Sequence, residues 1–339
     1  MAQALGDHGL SIMIDHPAQL ELVVTLQKLS GVVSDIFLKI DMGYQRAGVP
    51  VGSKAASDLI TSTLALASSG SCHLLGLYAH AGHSYKGANK SAALDILTEE
   101  FKALLEASKL IQPSLTYPLV LSVGATPSTT SIRNLLVDNA ESEIKDSISH
   151  LQSTIQSIRD IGCSLEIHAG VYATLDLQQL STHALPSSGP QAITLDDIAL
   201  TVVVEVASLY PRRGANDTTE ALIGAGTFAL GREPCKSYPG WGIPSPWNRP
   251  GAKLPTSPEA HSGWIVGRIS QEHGIITYHY NGEANSPASS ARSEDDLHIG
   301  QKIRLWPNHA CVAGAGFGWY LVVDGSDEII DVFVRWRGW

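Results

Sequence analysis

Short apolar runs alternate with longer stretches of helical period from the N-terminus to about Asp197. Runs at Ser11–Asp15, Ile36–Asp41, Leu74–His80, Leu119–Gly124 and Leu165–Tyr172 read as strands. Helices are predicted between them, over Pro17–Ser30, Lys54–Ser68, Ser91–Ile111 and Glu143–Ile161. The third is the clearest, because Leu94, Leu97, Phe101, Leu104 and Leu105 recur at helical spacing. The fourth ends at Gly162, a suitable residue just past a helix. Repeated strand–helix units imply a parallel sheet, since parallel strands need crossovers. The expected class is therefore α/β, as an open doubly wound sheet or a barrel.

After a Ser-, Pro- and Gly-rich loop at Ser181–Asp197, the pattern changes. Leu200–Tyr210, Ala221–Leu230, Gly263–Ser270, Gly274–Tyr280, Lys302–Pro307, Trp319–Val323 and Ile329–Arg335 read as strands without long helices between them. This predicts a separate β domain. Its longest interruption, Lys236–Ser262, holds six prolines and two tryptophans, the composition of an irregular, functional or exposed segment. Asn281–Asp296 is polar and reads as a loop tip.

Composition narrows the function classes. The 339 residues are 44% hydrophobic and 17% charged, an ordinary globular balance that excludes disordered and fibrous chains. No apolar run reaches the length of a membrane span, and Asp7 and His8 interrupt the N-terminus where a signal peptide needs apolar residues. Four cysteines without a C-x-x-C pair fit a reducing, cytoplasmic compartment better than a disulfide framework. A net charge of -10 without a basic stripe makes nucleic acid and acidic membranes poor partners.

Polar residues cluster where the early strands end: Asp41, Arg46, His80, His83, Thr126, His168 and Tyr172. Both candidate architectures build their sites at that end of the sheet, so Arg46, His80, Thr126 and Tyr172 are expected to converge on one cavity. Lys39 and Asp41 share a strand face, and with Arg46 they form either a charged site or a structural ion-pair network. In Leu121–Ser128, small residues and hydroxyls precede a turn whose N–H groups, with Thr126, could cradle a phosphate. In Pro307–Cys311, read as β, His309 and Cys311 at i and i+2 face one side and suit zinc. A buried free cysteine beside a structural histidine fits them as well. Glu272 or His273, in the Ser270–Gly274 hairpin, could complete such a site or sit in a solvated turn.

Six ordered blocks, KIDMGYQRAGV (Lys39–Val49), YAHAGHSY (Tyr78–Tyr85), SVGATPS (Ser122–Ser128), EIHAGVY (Glu166–Tyr172), SQEHG (Ser270–Gly274) and PNHAC (Pro307–Cys311), resemble one family. It is the group of D-serine dehydratases and D-threonine aldolases, with the alanine-racemase type of pyridoxal-phosphate fold. The resemblance runs from IDHPAQL (Ile14–Leu20) to the terminal VRWRGW. It implies a (β/α)8 barrel over residues 1–198, incomplete here, followed by a zinc-bearing β domain over 199–339. By resemblance, Arg46 reaches the cofactor's phenolic oxygen, and Tyr78 and His80 line its face. Gly124, Ala125 and Thr126 form the phosphate-binding turn, and Tyr172 lies near the ring or substrate. In alanine racemases a carbamylated lysine stands seven residues before the arginine, as Lys39 does here; the modification itself is not carried over. His309 and Cys311 resemble the zinc pair of the dehydratases, whereas the aldolases tend to place a carboxylate second.

The family's arginine-proline-histidine-x-lysine-threonine block, with the lysine that holds pyridoxal phosphate covalently, does not occur in this sequence. Five strand–helix units are read where a barrel has eight; three further units would add roughly 90 residues. The expectation is a family member lacking that N-terminal segment, with little activity by itself. The implied parent reaction takes D-serine to pyruvate and ammonia: the lysine removes the α-proton, the cofactor ring acts as electron sink and zinc assists departure of the β-hydroxyl. A D-β-hydroxy amino acid aldolase and a catalytically silent binder of the cofactor or zinc are the alternatives. The implied partner is a D-amino acid, with a homodimer in the full-length form.

Overall fold

The computed structural model describes residues 1–137, 142–282 and 297–336. The chain divides into two compact units, Met1–Gly170 with Thr182–Ala192, and Val171–Ser181 with Ile193–Trp339.

In the first unit, β1 (Ser11–Ile14), β2 (Asp35–Asp41), β3 (Val49–Pro50), β4 (His73–Tyr78), β5 (Val120–Val123) and β6 (Ser164–Ile167) form one parallel sheet. Its order is β1-β2-β4-β5-β6, with the two-residue β3 beside β2. Among the described residues β1 and β6 are not paired with each other, so the sheet has two open edges. Crossover helices α1 (Gln19–Ser30), α2 (Lys54–Ser68), α3 (Lys90–Ser108) and α4 (Lys145–Asp160) join the strands. Ser53 Oγ accepts the Ala56 N–H at 3.1 Å and Asn89 Oδ1 the Ala92 N–H at 2.9 Å, which fixes where α2 and α3 begin.

The register explains both faces of the sheet. Ile14, Leu38, Leu77, Leu121 and Leu165 are successive partners across five strands. This apolar row belongs to the core that Leu94, Leu97, Phe101 and Leu104 of α3 fill from the helix side. One residue on, and so on the opposite face, Lys39, Tyr78, Ser122 and Glu166 form a second row. The sheet thus carries an apolar row on one face and, near the C-terminal ends of its strands, a polar row on the other.

The second unit contains β7 (Val202–Tyr210), β8 (Glu220–Ile223), β9 (Gly242–Pro244), β10 (Gly263–Ile269), β11 (Gly274–His279) and β12 (Lys302–Pro307), in the order β10-β11-β8-β7-β12-β9. Val202, Val204 and Val206 are buried while Val203 and Glu205 are exposed, the alternation of a half-buried strand. β13 (Trp319–Val322) and β14 (Asp331–Val334) form a separate antiparallel hairpin.

Three local readings change. Ala221–Leu230 is not one strand: the chain leaves β8 at Ile223, and Thr227–Leu230 is a short helix. The irregular Lys236–Ser262 segment contains β9, at a sheet edge where proline is tolerated. The last strand of the first unit stops at Ile167, so Tyr172 is not on it. The polar stretch read as a loop tip, apart from Asn281 and Gly282, lies outside the described residues.

Candidate functional site

The polar row at the C-terminal ends of β2, β4, β5 and β6 is the nucleus of the site. Tyr78 ends β4 and His168 directly follows β6, the two strands that flank β5, yet their rings stack at 4.2 Å between centroids and 9° between planes. They meet because β5 presents only Ser122 and Gly124 between them. Gly124 has φ +145°, and a Cβ there would lie 2.1 Å from the His168 carbonyl oxygen and from Thr129 Oγ1. Thr129 Oγ1 donates to that same carbonyl at 2.7 Å. His80 Nδ1 lies 2.7 Å from the Gly124 carbonyl oxygen, and its ring is parallel to His168 at 6.1 Å. His168 Nδ1 is 3.1 Å from Ser122 Oγ, which donates to Glu166 at 2.6 Å. His168 Nε2 is buried and has no hydrogen-bond partner among the described residues.

Electrostatics follow from burial. Lys39 is 7% exposed; its Nζ donates to the Ile40 carbonyl at 3.3 Å and lies 5.1 Å from the Tyr78 ring centroid. Burial, helped by the nearby Arg46 charge, lowers its pKa to about 8. Burial also lowers His80 and takes His168 to about 4, so both imidazoles are neutral at neutral pH. It raises the Tyr78 phenol. Arg46 is exposed, with its guanidinium 5.2 Å from the Tyr44 ring centroid. Asp41 does not ion-pair with Lys39 among the described residues. Its Oδ1 accepts the Gly43 and Gln45 N–H groups at 2.9 and 3.0 Å, folding the loop that carries Arg46.

The turn after β5 departs from the simple phosphate cradle. The Gly124 N–H is taken up by Glu100 at 3.2 Å, and the Ala125 N–H by Ser128 Oγ at 3.1 Å. Thr126 Oγ1 accepts the Gly170 N–H at 3.2 Å. Glu100, on α3, is 0% exposed and also accepts the Ala81 N–H and Ser128 Oγ–H, each at 2.8 Å. One carboxylate thus ties together the segments that follow β4 and β5, and burial raises its pKa to about 7. Sequence reasoning missed Glu100, although it lies between Leu97, Phe101 and Leu104 on an otherwise apolar stripe. It also missed Ser122 and Glu166 as members of the polar row; their spacing of two from Gly124 and His168 was the available signal.

The remaining expected residues belong to the second unit. Tyr172 lies outside any strand and is 65% exposed. His309 and Cys311 are not in a strand: β12 ends at Pro307, His309 caps the helix Ala310–Ala315, and Cys311 is exposed on its first turn. The strand argument for their facing one side therefore does not apply. His309 Nδ1 lies 2.7 Å from Gln178 Oε1 and 3.9 Å from Asp176 Oδ2. Asp176 is fully buried and accepts the Ala310 and Gln179 N–H groups, each at 2.9 Å; burial raises its pKa. Glu272 and His273 are exposed in the turn between β10 and β11. No described helix is long and apolar enough to cross a membrane.

Parallel βα units, a following antiparallel β unit and an ionisable layer at the strand ends describe a protein of the alanine-racemase-like class. The model for the alanine racemase N-terminal domain matches residues 1–140, and that for a putative serine dehydratase domain matches residues 199–323. D-serine dehydratase of Schizosaccharomyces pombe is 34% identical, over 97% of this chain and 68% of its own length. The Saccharomyces cerevisiae D-serine dehydratase is 31% identical, over 98% of this chain and 69% of its own. The solved D-threo-3-hydroxyaspartate dehydratase from Delftia sp. shares the fold, with a TM-score of 0.67 and 23% identity over 97% of this chain and 73% of that one. The chain belongs to the D-serine dehydratase family.

Proposed function

We propose that the protein is a pyridoxal-phosphate- and zinc-dependent ammonia-lyase that takes D-serine to pyruvate and ammonia. The single observation that carries this reading is the polar row Lys39–Tyr78–Ser122–Glu166, crowned by neutral His80 and His168, in a chain of this family. The residues fit an anionic aromatic cofactor. His168 Nε2 is buried and unpartnered, aromatic faces stand close together, and Arg46 supplies a permanent charge. The side chains of Arg46, Tyr78, His80 and Thr126 are assigned to cofactor binding, with Gly124 and Ala125 shaping the turn rather than donating N–H groups, which already have acceptors; in the second unit Tyr172 is assigned to the ring or substrate, and His309 and Cys311 to zinc. Bound there, pyridoxal phosphate supplies an electron sink at the substrate α-carbon and zinc a Lewis acid at its β-hydroxyl.

The chain's own groups have distinct tasks. His80 and His168 stay uncharged, so they orient rings without adding a positive charge that competes with Arg46. The Tyr78 phenol stays protonated and able to donate. Lys39 matches the lysine that supports Arg46, and no lysine is assigned the covalent link to the cofactor. His309 Nδ1 is engaged by Gln178 Oε1 at 2.7 Å, which orients the ring assigned to the metal. Four free cysteines, Cys72, Cys163, Cys235 and Cys311, support a reducing, cytoplasmic setting.

The test uses the protein expressed from its complete reading frame. Pyruvate release from D-serine is expected, with zinc content lost in His309→Ala and in Cys311→Ala. Unchanged zinc in both variants removes the metal assignment. Glycine release from D-threonine in preference to pyruvate from D-serine replaces the dehydratase by an aldolase.

A further inference from the structure

At the opposite end of the parallel sheet, three side chains that the proposed reaction does not use converge on one point. Asp35 opens β2 and His73 opens β4, and the two are direct register partners. His8 comes from the loop before β1. His8 Nδ1 and His73 Nδ1 lie 2.7 and 2.8 Å from the same oxygen, Asp35 Oδ1. The three donor atoms are within 4.8 Å of one another, the only such meeting of three His, Cys, Asp or Glu donors among the described residues.

The convergence is held by the backbone of three segments. The His8 N–H donates to the Val33 carbonyl at 3.1 Å, the Asp35 N–H to Leu10 at 3.0 Å and the His73 N–H to Ser34 at 3.0 Å. The ring orientations are fixed as well. His8 packs edge-on against His73 at 5.0 Å, and the Tyr117 ring lies 4.6 Å from His73 on its other contact. The Asp35 side chain is 8% exposed and that of His8 56%, so a carboxylate sits at the base of a site with a wet side.

The geometry points to a second divalent-metal site here, formed by His8, Asp35 and His73, with water completing the coordination. Two imidazole nitrogens and one carboxylate oxygen suit a borderline ion such as zinc. Bonds of about 2.0–2.1 Å at tetrahedral angles hold donors roughly 3.3 Å apart, so the side chains need to open by only about half an ångström. The metal replaces the two Nδ1 protons that otherwise bridge to Asp35. Its place is the N-terminal end of the strands, where this class of sheet carries stability rather than chemistry. It is therefore a structural clip that joins the leading loop to β2 and β4, independent of the catalytic reading.

Cobalt(II) is the probe, because a site without sulfur lacks the thiolate-to-cobalt band that a cysteine-bearing site gives. In full-length protein carrying Cys311→Ala, the expected result is one cobalt per chain with visible d–d absorption and no thiolate band. Adding His8→Ala, at an exposed position, should weaken that binding by at least about 10-fold. One equivalent of zinc should raise the Tm of the Cys311→Ala protein and leave the Cys311→Ala/His8→Ala protein unmoved. Cobalt binding of equal strength with and without His8, or a zinc-dependent Tm rise that survives His8→Ala, overturns the site. Absence of cobalt binding in the Cys311→Ala protein does so too, leaving a His–Asp–His hydrogen-bonded cluster.

Discussion

Replacing Glu100 by glutamine should make the protein more resistant to unfolding at high pH than at low pH, relative to the unaltered chain. The glutamine Oε1 can still accept the Ala81 and Gly124 N–H groups, and its amide can donate to Ser128 Oγ, so the packing around α3 survives. What changes is the charge. Burial raises the Glu100 carboxyl from its ordinary 4.5 to about 7, against the three hydrogen bonds that pull it down. A folded-state value above the unfolded one means that the fold binds this proton more tightly. Its stabilising contribution is full below the unfolded value and is lost as pH rises through about 7. Between pH 5 and 8 the two-state linkage amounts to ~2.5 kcal/mol, an order-of-magnitude figure. Urea unfolding of both proteins at the two pH values reads it directly. The stability difference between variant and parent should shift by about that amount in favour of Glu100→Gln at pH 8. A difference that is the same at both pH values would show that Glu100 keeps one charge state throughout, and that the burial argument fails.

Gly124→Ala should destabilise the protein by more than about 2 kcal/mol, since its Cβ would lie 2.1 Å from two oxygens at φ +145°; equal urea midpoints would refute this. His168 should titrate near pH 4 by NMR in the protein without cofactor. Its lowered value makes its contribution one that is lost as pH falls from 6.5 towards 4, and a midpoint above 6 would show that the ring is not desolvated. Glu220, 5% exposed, is held by Arg213 at 2.6 Å and Arg268 at 2.7 Å. Glu220→Gln should cost about 1–2 kcal/mol, less than a fully buried pair because both arginines remain partly solvated, and the loss should shrink in high salt.

The sequence discloses those parts of the molecule in which one local signal dominates. Lys54–Ser68 is helical over the range read, because Ser53 caps its start and the apolar period runs without interruption. The run from Ala221 to Leu230 is misleading because its apolar content fits a strand. Gly224 and Gly226 let the chain turn between β8 and the short helix that follows. His309 and Cys311 read as strand residues because the apolar run before them is one, yet Pro307 ends it. At the site, residues at strand ends are legible from position alone. Glu100 is not, since a glutamate on a helix normally faces water and its partners lie at Ala81, Gly124 and Ser128, far along the chain. Nor does sequence reveal that the Gly124 and Ala125 N–H groups already have acceptors.

The two adjacent rows of the parallel sheet also govern how reliably it can assemble. Leu38, Leu77, Leu121 and Leu165 sit one residue away from Lys39, Tyr78, Ser122 and Glu166. A slip of β5 by one residue would push Ser122 among the leucines of α3 and set Leu121 against Tyr78 and Glu166. Burying a hydroxyl without a partner costs about 1–3 kcal/mol, and withdrawing a leucine from the core costs about 1.5–3 kcal/mol. Misregistered pairings are thereby penalised at each strand of the row by the same side chains that line the site. Selection on the chemistry of this face therefore also maintains a folding code. A β strand transplanted into this sheet from a relative will assemble faithfully only when its apolar and polar positions keep step with both neighbours.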